Sequence, residues 1–350
     1  MSEETKSAVL SATRSRVTIK DLADDLGMSV STISRAFQEN SRIADRSRQI
    51  VLTRAAELGY KANPFARTLV GKKTKIVGVL VSRISSPFYG EMLNLIAKEL
   101  RADNMSLMLI AGEHVQEIRD GLNVLMAYDP VAVLVMSSYA SAETLAGSPI
   151  AHDRLVYFNR FPADRSSLAL AYDNRGAGAK MANYLIGLGH RRFCYVSSGL
   201  ESSTDEERGQ GFAAEIMGRD LPAPAVIITT GFTYEAGMAA AAQVAARIDE
   251  IDAVFCAADM MALGLMDGMR YTYAVDVPAR LSIAGCDDIA MAGWPSHSLT
   301  TVRMPRRAMV REIVRLIQSI AADRRPSSAL LRVGAADIVV RRSAGPNMRG

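Results

Sequence analysis

Two rhythms of apolar and polar positions divide the chain. Between residues 17 and 61, apolar side chains recur in short helical steps: Leu22 and Leu26 are four apart, as are Ile33 and Phe37, and Ile50, Ala55 and Leu58 mark a third stretch. From residue 76 the rhythm changes. Compact apolar runs at 76–81, 107–110, 131–136, 155–158, 193–196, 226–229, 253–256 and 281–284 alternate with amphipathic stretches at 88–102, 115–128, 177–188, 234–247 and 260–271. Strands alternating with helices predict parallel sheets covered on both faces. Roughly 275 residues of this alternation exceed one comfortable core, which predicts two α/β lobes.

The first segment carries its own punctuation. Thr18 can cap a helix over 20–26, and Gly27 supplies a left-handed stop. Ser29 can cap a second helix that buries Ile33 and Phe37, and a third runs over 45–58, with Ile50, Ala55 and Leu58 expected to close a small core. Two short helices joined through glycine at this spacing predict a helix-turn-helix. Its exposed face then holds Val30, Ser31, Ser34 and Arg35. Hydroxyls suit phosphate oxygens and Arg suits guanine O6/N7, whereas a plain αα-hairpin needs neither.

Charge separates these readings. Residues 1–75 hold 14 basic side chains against 8 acidic, while residues 76–350 hold 27 against 29. The whole excess of the +4 chain sits in its first fifth, as expected for a basic reader of nucleic acid joined to a near-neutral body. Residues 1–16 read as a polar tail, and 62–75, basic with Pro64 and Gly71, as a linker.

Other chemistries find little support. Cys194, Cys256 and Cys286 have neither zinc-type spacing nor an even count, and are expected as buried thiols. The four histidines (His114, His152, His190, His297) show no metal spacing and no nucleophile motif. No G-x-G-x-x-G follows the first strand and no P-loop is present, so no cofactor, no metal and no enzymatic activity are expected. Residues 1–16 lack a secretory apolar core and no run reaches membrane length, so the expected location is cytoplasmic, without a membrane partner. A solute-binding protein and a nucleotide-dependent α/β enzyme are the rival readings.

Particular phrases go further. Thr18-Ile-Lys-Asp-Leu-Ala, Gly27-Met-Ser-Val-Ser-Thr-Ile-Ser-Arg35, Leu58-Gly-Tyr60 and Asn63-Pro-Phe-Ala-Arg-Thr-Leu69 are followed by Leu188-Gly-His-Arg-Arg192, Glu207-Arg-Gly-Gln-Gly-Phe212, Ala258-Asp-Met-Met-Ala-Leu-Gly264 and Gly285-Cys-Asp-Asp288. Over nearly its whole length the chain resembles the LacI/GalR family of bacterial transcription regulators. The resemblance implies an all-α helix-turn-helix DNA-binding module plus an α/β periplasmic-binding-protein-like core of two doubly wound parallel-sheet lobes. The implied divisions are a DNA-binding domain at 17–61, a hinge helix at 62–75, one lobe from 76–171 with 304–331, and the other from 172–303 with 332–345.

It also implies roles. Val30, Ser31 and Arg35 stand where the family selects bases; Thr18, Ser29, Thr32 and Ser34 fall in the phosphate-contacting module; and Leu69 matches a minor-groove wedge. Phe88, Asn159, Arg160, Arg208, Phe232 and Asp287 match pocket positions. From residue type alone, Phe88 is as readily core, Arg208 could pair with Glu206 or Glu207, and Asp287 could cap the helix that follows at Ile289. The implied partners are a double-stranded operator, a second copy of the chain, and a small-molecule effector such as a sugar, sugar acid or sugar phosphate. The sequence departs from the family pattern at Ala62, Gln38, Ala258 and Asn159. A neutral Asn159 beside Arg160 makes that side of the pocket more cationic, which tilts the expectation towards an acidic or phosphorylated ligand.

Overall fold

The computed structural model describes residues 17–37, 41–60, 74–137, 140, 142–145, 150, 152–161, 167–324 and 330–347. Leu69 and most of the expected hinge lie outside them. The chain divides into two compact units, residues 1–74 and 75–350.

In the first unit, three helices form: α1 (Ile19–Leu26), α2 (Val30–Ala36) and α3 (Asp45–Glu57). Thr18 starts α1 through a capping box, its Oγ1 accepting from the Asp21 N–H while Asp21 accepts from the Thr18 N–H. Gly27 ends α1 at φ 60°, and Ser29 caps α2 by accepting from the Thr32 N–H. Leu22, Ala23, Ile33, Ala36, Val51 and Ala55 make the core. Ile50, expected inside, is exposed instead, and Val51 takes the place. One residue turns a helix by about 100°, and Val51, four before Ala55, shares its face.

The second unit holds two six-stranded sheets. The first takes β1 (Ile76–Val81), β2 (Ser106–Ala111), β3 (Ala132–Met136), β4 (Leu155–Phe158) and β5 (Leu168–Ala171), with β11 (Leu330–Arg332) arriving from the far end of the chain. Their order is β11-β5-β4-β3-β1-β2, all parallel. Its helices are α4 (Pro87–Leu100), α5 (Val115–Met126), the short α6 (Ala142–Leu145) and α11 (Arg306–Ala321). The second sheet is built from β6 (Phe193–Ser197), β7 (Ala225–Ile228), β8 (Ala253–Cys256), β9 (Ser282–Cys286), β10 (Thr300–Arg303) and β12 (Asp337–Val339), in the order β12-β10-β9-β8-β6-β7. It carries α7 (Asn174–Gly187), α8 (Ser203–Met217), α9 (Tyr234–Ala246) and α10 (Asp259–Asp267). The chain passes from one sheet to the other after Ala171, Arg303 and Arg332.

The eight strands expected from apolar runs all form, but four others do not stand out in the sequence. β10 is polar in composition, and β5, β11 and β12 have three or four residues each. The parallel sheets expected form, with one described pair of opposite sense: β12 pairs antiparallel with β10. It enters from the other sheet across residues 333–336, with no crossover helix to restore the parallel sense.

Glycines set how closely the helices of the second lobe pack. A Cβ on Gly178 of α7 would overlap the Arg208 carbonyl oxygen of α8, and one on Gly211 of α8 would overlap that of Arg175. Gly237 and Gly264 bring α9 and α10 together in the same reciprocal way. Because backbone stands opposite, no rotamer change relieves the overlap. Gly211→Ala is therefore expected to cost about 2–3 kcal/mol of stability in urea unfolding, and an unchanged midpoint would contradict the close crossing.

Candidate functional sites

The first candidate is the outer face of α2. Val30 is 45% exposed, although it is an aliphatic residue at the start of a helix. Ser29, Ser31 and Arg35 are exposed beside it, and Thr32 and Ser34 are half-buried. The Ser29 hydroxyl hydrogen-bonds with those of Ser31 and Thr32 at 2.9 and 2.8 Å, and Arg35 Nε donates to the Ser31 carbonyl at 3.2 Å. Thr18 is exposed at the α1 cap. Arg54 of α3 braces the frame, pairing with Asp25 of α1 through two bonds of 2.7 and 2.9 Å. The result is a rigid helix presenting small hydroxyls, one methyl-rich side chain and one guanidinium outward.

The second is a cleft between the two sheets of the core. All six residues expected there, Phe88, Asn159, Arg160, Arg208, Phe232 and Asp287, line it. They sit just beyond the carboxyl ends of parallel strands or on the loops and helices that follow, where α/β sheets open towards ligands. Phe88 serves two purposes: it is 5% exposed and belongs to the core, yet borders the cleft.

Arg208 is the most enclosed of them. Its Nε donates to Tyr172 Oη at 3.1 Å and Asn174 Oδ1 at 2.9 Å, its Nη1 to the Ala257 carbonyl at 2.6 Å, and its Nη2 lies 4.0 Å from Asp287 Oδ1. Pairing with Glu206 or Glu207 does not occur; Glu207 instead binds Arg332 at 2.6 Å. Burial opposes the Arg208 charge, but the electronegative groups around it, Asp287 included, raise its pKa well above the ordinary value. Asp287 has φ 129° and caps no helix. Its loop is held by Arg306, which donates to the Asp287 carbonyl at 2.6 Å and pairs with Glu91 of α4 at 2.6 Å.

Sequence reasoning missed several neighbours. Arg83, two residues beyond β1, lies over the Phe232 ring at 4.3 Å and near Tyr89 at 5.6 Å, so it reaches from one lobe to the other. Its place at a strand end was the available signal. Asp259, at the start of α10, is fully buried behind the cleft, accepting from Thr301 Oγ1 and from the Ile289 N–H at 2.9 Å. Two other residues of interest fall elsewhere. Trp294 is half-exposed and outside the cleft, and His190 hydrogen-bonds the Gly345 carbonyl at 3.0 Å, with burial lowering its pKa. The three cysteines are free and buried. Among the described residues no group of His, Cys, Asp and Glu could hold a metal, and no helix is long and apolar enough to cross a membrane.

A small helical module with an outward polar helix, joined to a two-lobed core enclosing a charged cleft, defines a DNA-binding regulator with a ligand-binding body. The comparisons agree. The family model for bacterial regulatory proteins, lacI family, matches residues 18–63, and that for the periplasmic binding protein-like domain matches residues 182–344. The chain is 29% identical to the HTH-type transcriptional regulator GalR of Escherichia coli (strain K12) over 328 residues, covering 93% of this chain and 95% of GalR. It is 28% identical to CelR of Thermobifida fusca, covering 87% and 92%. Among solved structures, the lac repressor dimer bound to operator and the anti-inducer ONPF superposes with TM-score 0.80 at 18% identity, covering 95% of this chain and 100% of that one. A CelR–cellobiose complex superposes with TM-score 0.69 at 23% identity, covering 94% and 100%. The chain combines a LacI-type helix-turn-helix domain with a periplasmic-binding-protein-like domain, and the relatives it is similar to are transcription regulators.

The acidic pair beneath the cleft gives a test. Burial pushes both carboxyls up; the Asp287 charge pushes Asp259 further, while Arg208, Arg306 and Arg83 pull Asp287 back down. Asp259 therefore keeps its proton more tightly folded than unfolded. That contribution is complete at acid pH and is lost as pH rises through the folded value. Between about pH 5 and pH 8, wild-type stability should fall relative to Asp259→Asn, by up to about 1.4 kcal/mol per pH unit. Urea unfolding across that range checks this, and parallel pH profiles would refute it.

Proposed function

We propose that this regulator is a repressor of carbohydrate metabolism or uptake genes that binds a palindromic operator as a homodimer and responds to a small molecule in its cleft. The observation that carries the DNA role is the exposed start of α2, where Val30, Ser31 and Arg35 project from a closed three-helix core. In this reading Arg35 contacts a guanine edge, Val30 a thymine methyl, and Ser29, Thr32 and Ser34 the phosphates. Two such helices related by a dyad match a palindrome. Leu69, outside the described residues, is assigned the minor-groove wedge.

The cleft supports the sensing half. Its effector, a sugar, sugar acid or sugar phosphate, contacts Asp287, Asn159, Arg160 and Arg208 by hydrogen bonds and Phe88 and Phe232 by ring faces. Three chain crossings between the sheets let the lobes close about it as a hinge. Operator and effector affinities then shift each other by the same factor. GalR and CelR are named as regulators, and the CelR neighbour is complexed with cellobiose, which favours a carbohydrate-class effector. The same reading gives the protein no catalytic role and no cofactor, and places its work in the cytoplasm.

Two substitutions test it on a DNA fragment selected by the wild-type protein. Arg35→Ala is expected to cost about 1–3 kcal/mol of affinity and to relax selectivity at one base pair in gel-shift assays. Unchanged affinity and selectivity would remove Arg35 from the interface. Leu69→Ser is expected to weaken fragment binding while ligand titration stays normal, and equal DNA affinity would discard the wedge.

A further inference from the structure

The cleft holds more positive potential than its own acids neutralise. Of its three arginines, Arg208 is enclosed by Tyr172, Asn174, the Ala257 carbonyl and Asp287. Arg83 and Arg160 are different. Both follow strands of the first sheet, β1 and β4, and both line the cleft. Neither forms a salt bridge among the described residues, and each has a buried Nε with no hydrogen-bond partner. Arg160 spends one Nη group on the Ser137 carbonyl, and Arg83 rests on the rings of Phe232 and Tyr89. Burial depresses the basicity of Arg160, and the like charge of Arg83 adds to that. Two half-buried cations facing one space, each with an unmet buried Nε, favour an anion that joins them.

Helix ends point the same way. α4 begins at Pro87 after Ser86, whose side chain makes no capping bond, and α10 begins after Ala258, which has no side-chain acceptor to offer. Ser86, Phe88, Ala258 and Met260 all line the cleft, so two uncapped helix N-termini border it. Uncapped N-termini carry partial positive charge and spare N–H donors. The facing acids are Asp287, which lies beside Arg208, and Glu201, which is exposed; Glu91 is paired with Arg306.

We propose that the effector carries an anionic group, a carboxylate or a phosphate ester, that seats between Arg83 and Arg160, with its hydroxyls turned towards Asp287 and the unpartnered Asn159 Oδ1. This rests on the reading of the cleft as the effector site. Guanidinium pairs favour such planar or tetrahedral oxyanions through bidentate, charge-assisted bonds.

The test uses the full chain and matched probes: glucose, glucuronate and glucose 6-phosphate; galactose, galacturonate and galactose 6-phosphate; and inorganic phosphate. Thermal shift and calorimetric titration should show at least one charged probe binding about tenfold or more tighter than its neutral parent. That preference should shrink as salt rises, and the uronate and phosphate arms tell the two anion types apart. Arg83→Gln and Arg160→Gln should each erase the preference. Arg83→Lys should retain part of it, and binding to the selected DNA fragment reports that the variants are folded. Neutral parents binding as tightly as their charged partners, or no charged probe binding at all, overturns the proposal. A neutral sugar that binds and shifts DNA affinity would overturn it while sparing the effector reading. A charged probe that depends on Arg83 yet leaves DNA affinity unchanged would support it and defeat the effector reading instead.

Discussion

A fully enclosed guanidinium organises the core. A buried charge is tolerated only where its hydrogen-bonding groups are met, and Arg208 meets that demand by drawing four segments together. Tyr172 and Asn174 come from the first passage between the sheets, Ala257 from the end of β8, and Asp287 from the loop after β9. Arg208 reaches them because α7 and α8 cross through Gly178 and Gly211, with backbone against backbone. The same arrangement that satisfies one charge thus sets where the cleft floor lies and which way Asp287 faces.

The two lobes contribute unlike chemistry. The second lobe offers a network already balanced, in which Arg208 and Asp287 offset one another. The first lobe offers Arg83, Arg160 and Asn159, each with a buried polar atom left unmet. Contacts that bridge the lobes already exist: Arg83 on Phe232, the Phe161 N–H to Ser203 Oγ at 3.0 Å, and Arg332 with Glu207. A ligand that satisfies the first lobe while touching the second stabilises whichever lobe separation brings both into reach, and differential contact of that kind shifts a conformational equilibrium.

Legibility followed the range of the interactions. The helix-turn-helix was plain because its signals are local: Thr18 with Asp21, Gly27, and Ser29 with Thr32 lie within one turn of each other. Even so, the spacing puts Ile50 where Val51 in fact sits, since the overall stripe of α3 is weak and its packing is decided by α1 and α2. In the body, the central strands announced themselves as unbroken apolar runs buried on both faces. β10 did not, because its Thr300 and Thr301 are buried through hydrogen bonds to Arg341, Ser343 and Asp259 rather than through apolarity. The six expected cleft residues were found by resemblance. Arg83 carries one signal, its place just beyond β1, and its neighbours Ser82, Ile84 and Ser85 add nothing that separates it from a solvated surface arginine.

The sequence by itself determined the division into a basic helical module and an α/β body, together with the regulator class to which they belong. Periodicity, capping residues and charge distribution are properties of neighbours along the chain, so they can be read there. Tertiary structure alone decided which charges are spent and which are free. Arg208 and Arg160 look alike in the sequence, yet one is surrounded by partners from three other segments and the other faces open space beside Arg83. Neutralisation of Arg208 depends on distances to residues 34 to 79 positions away, and only folding fixes those.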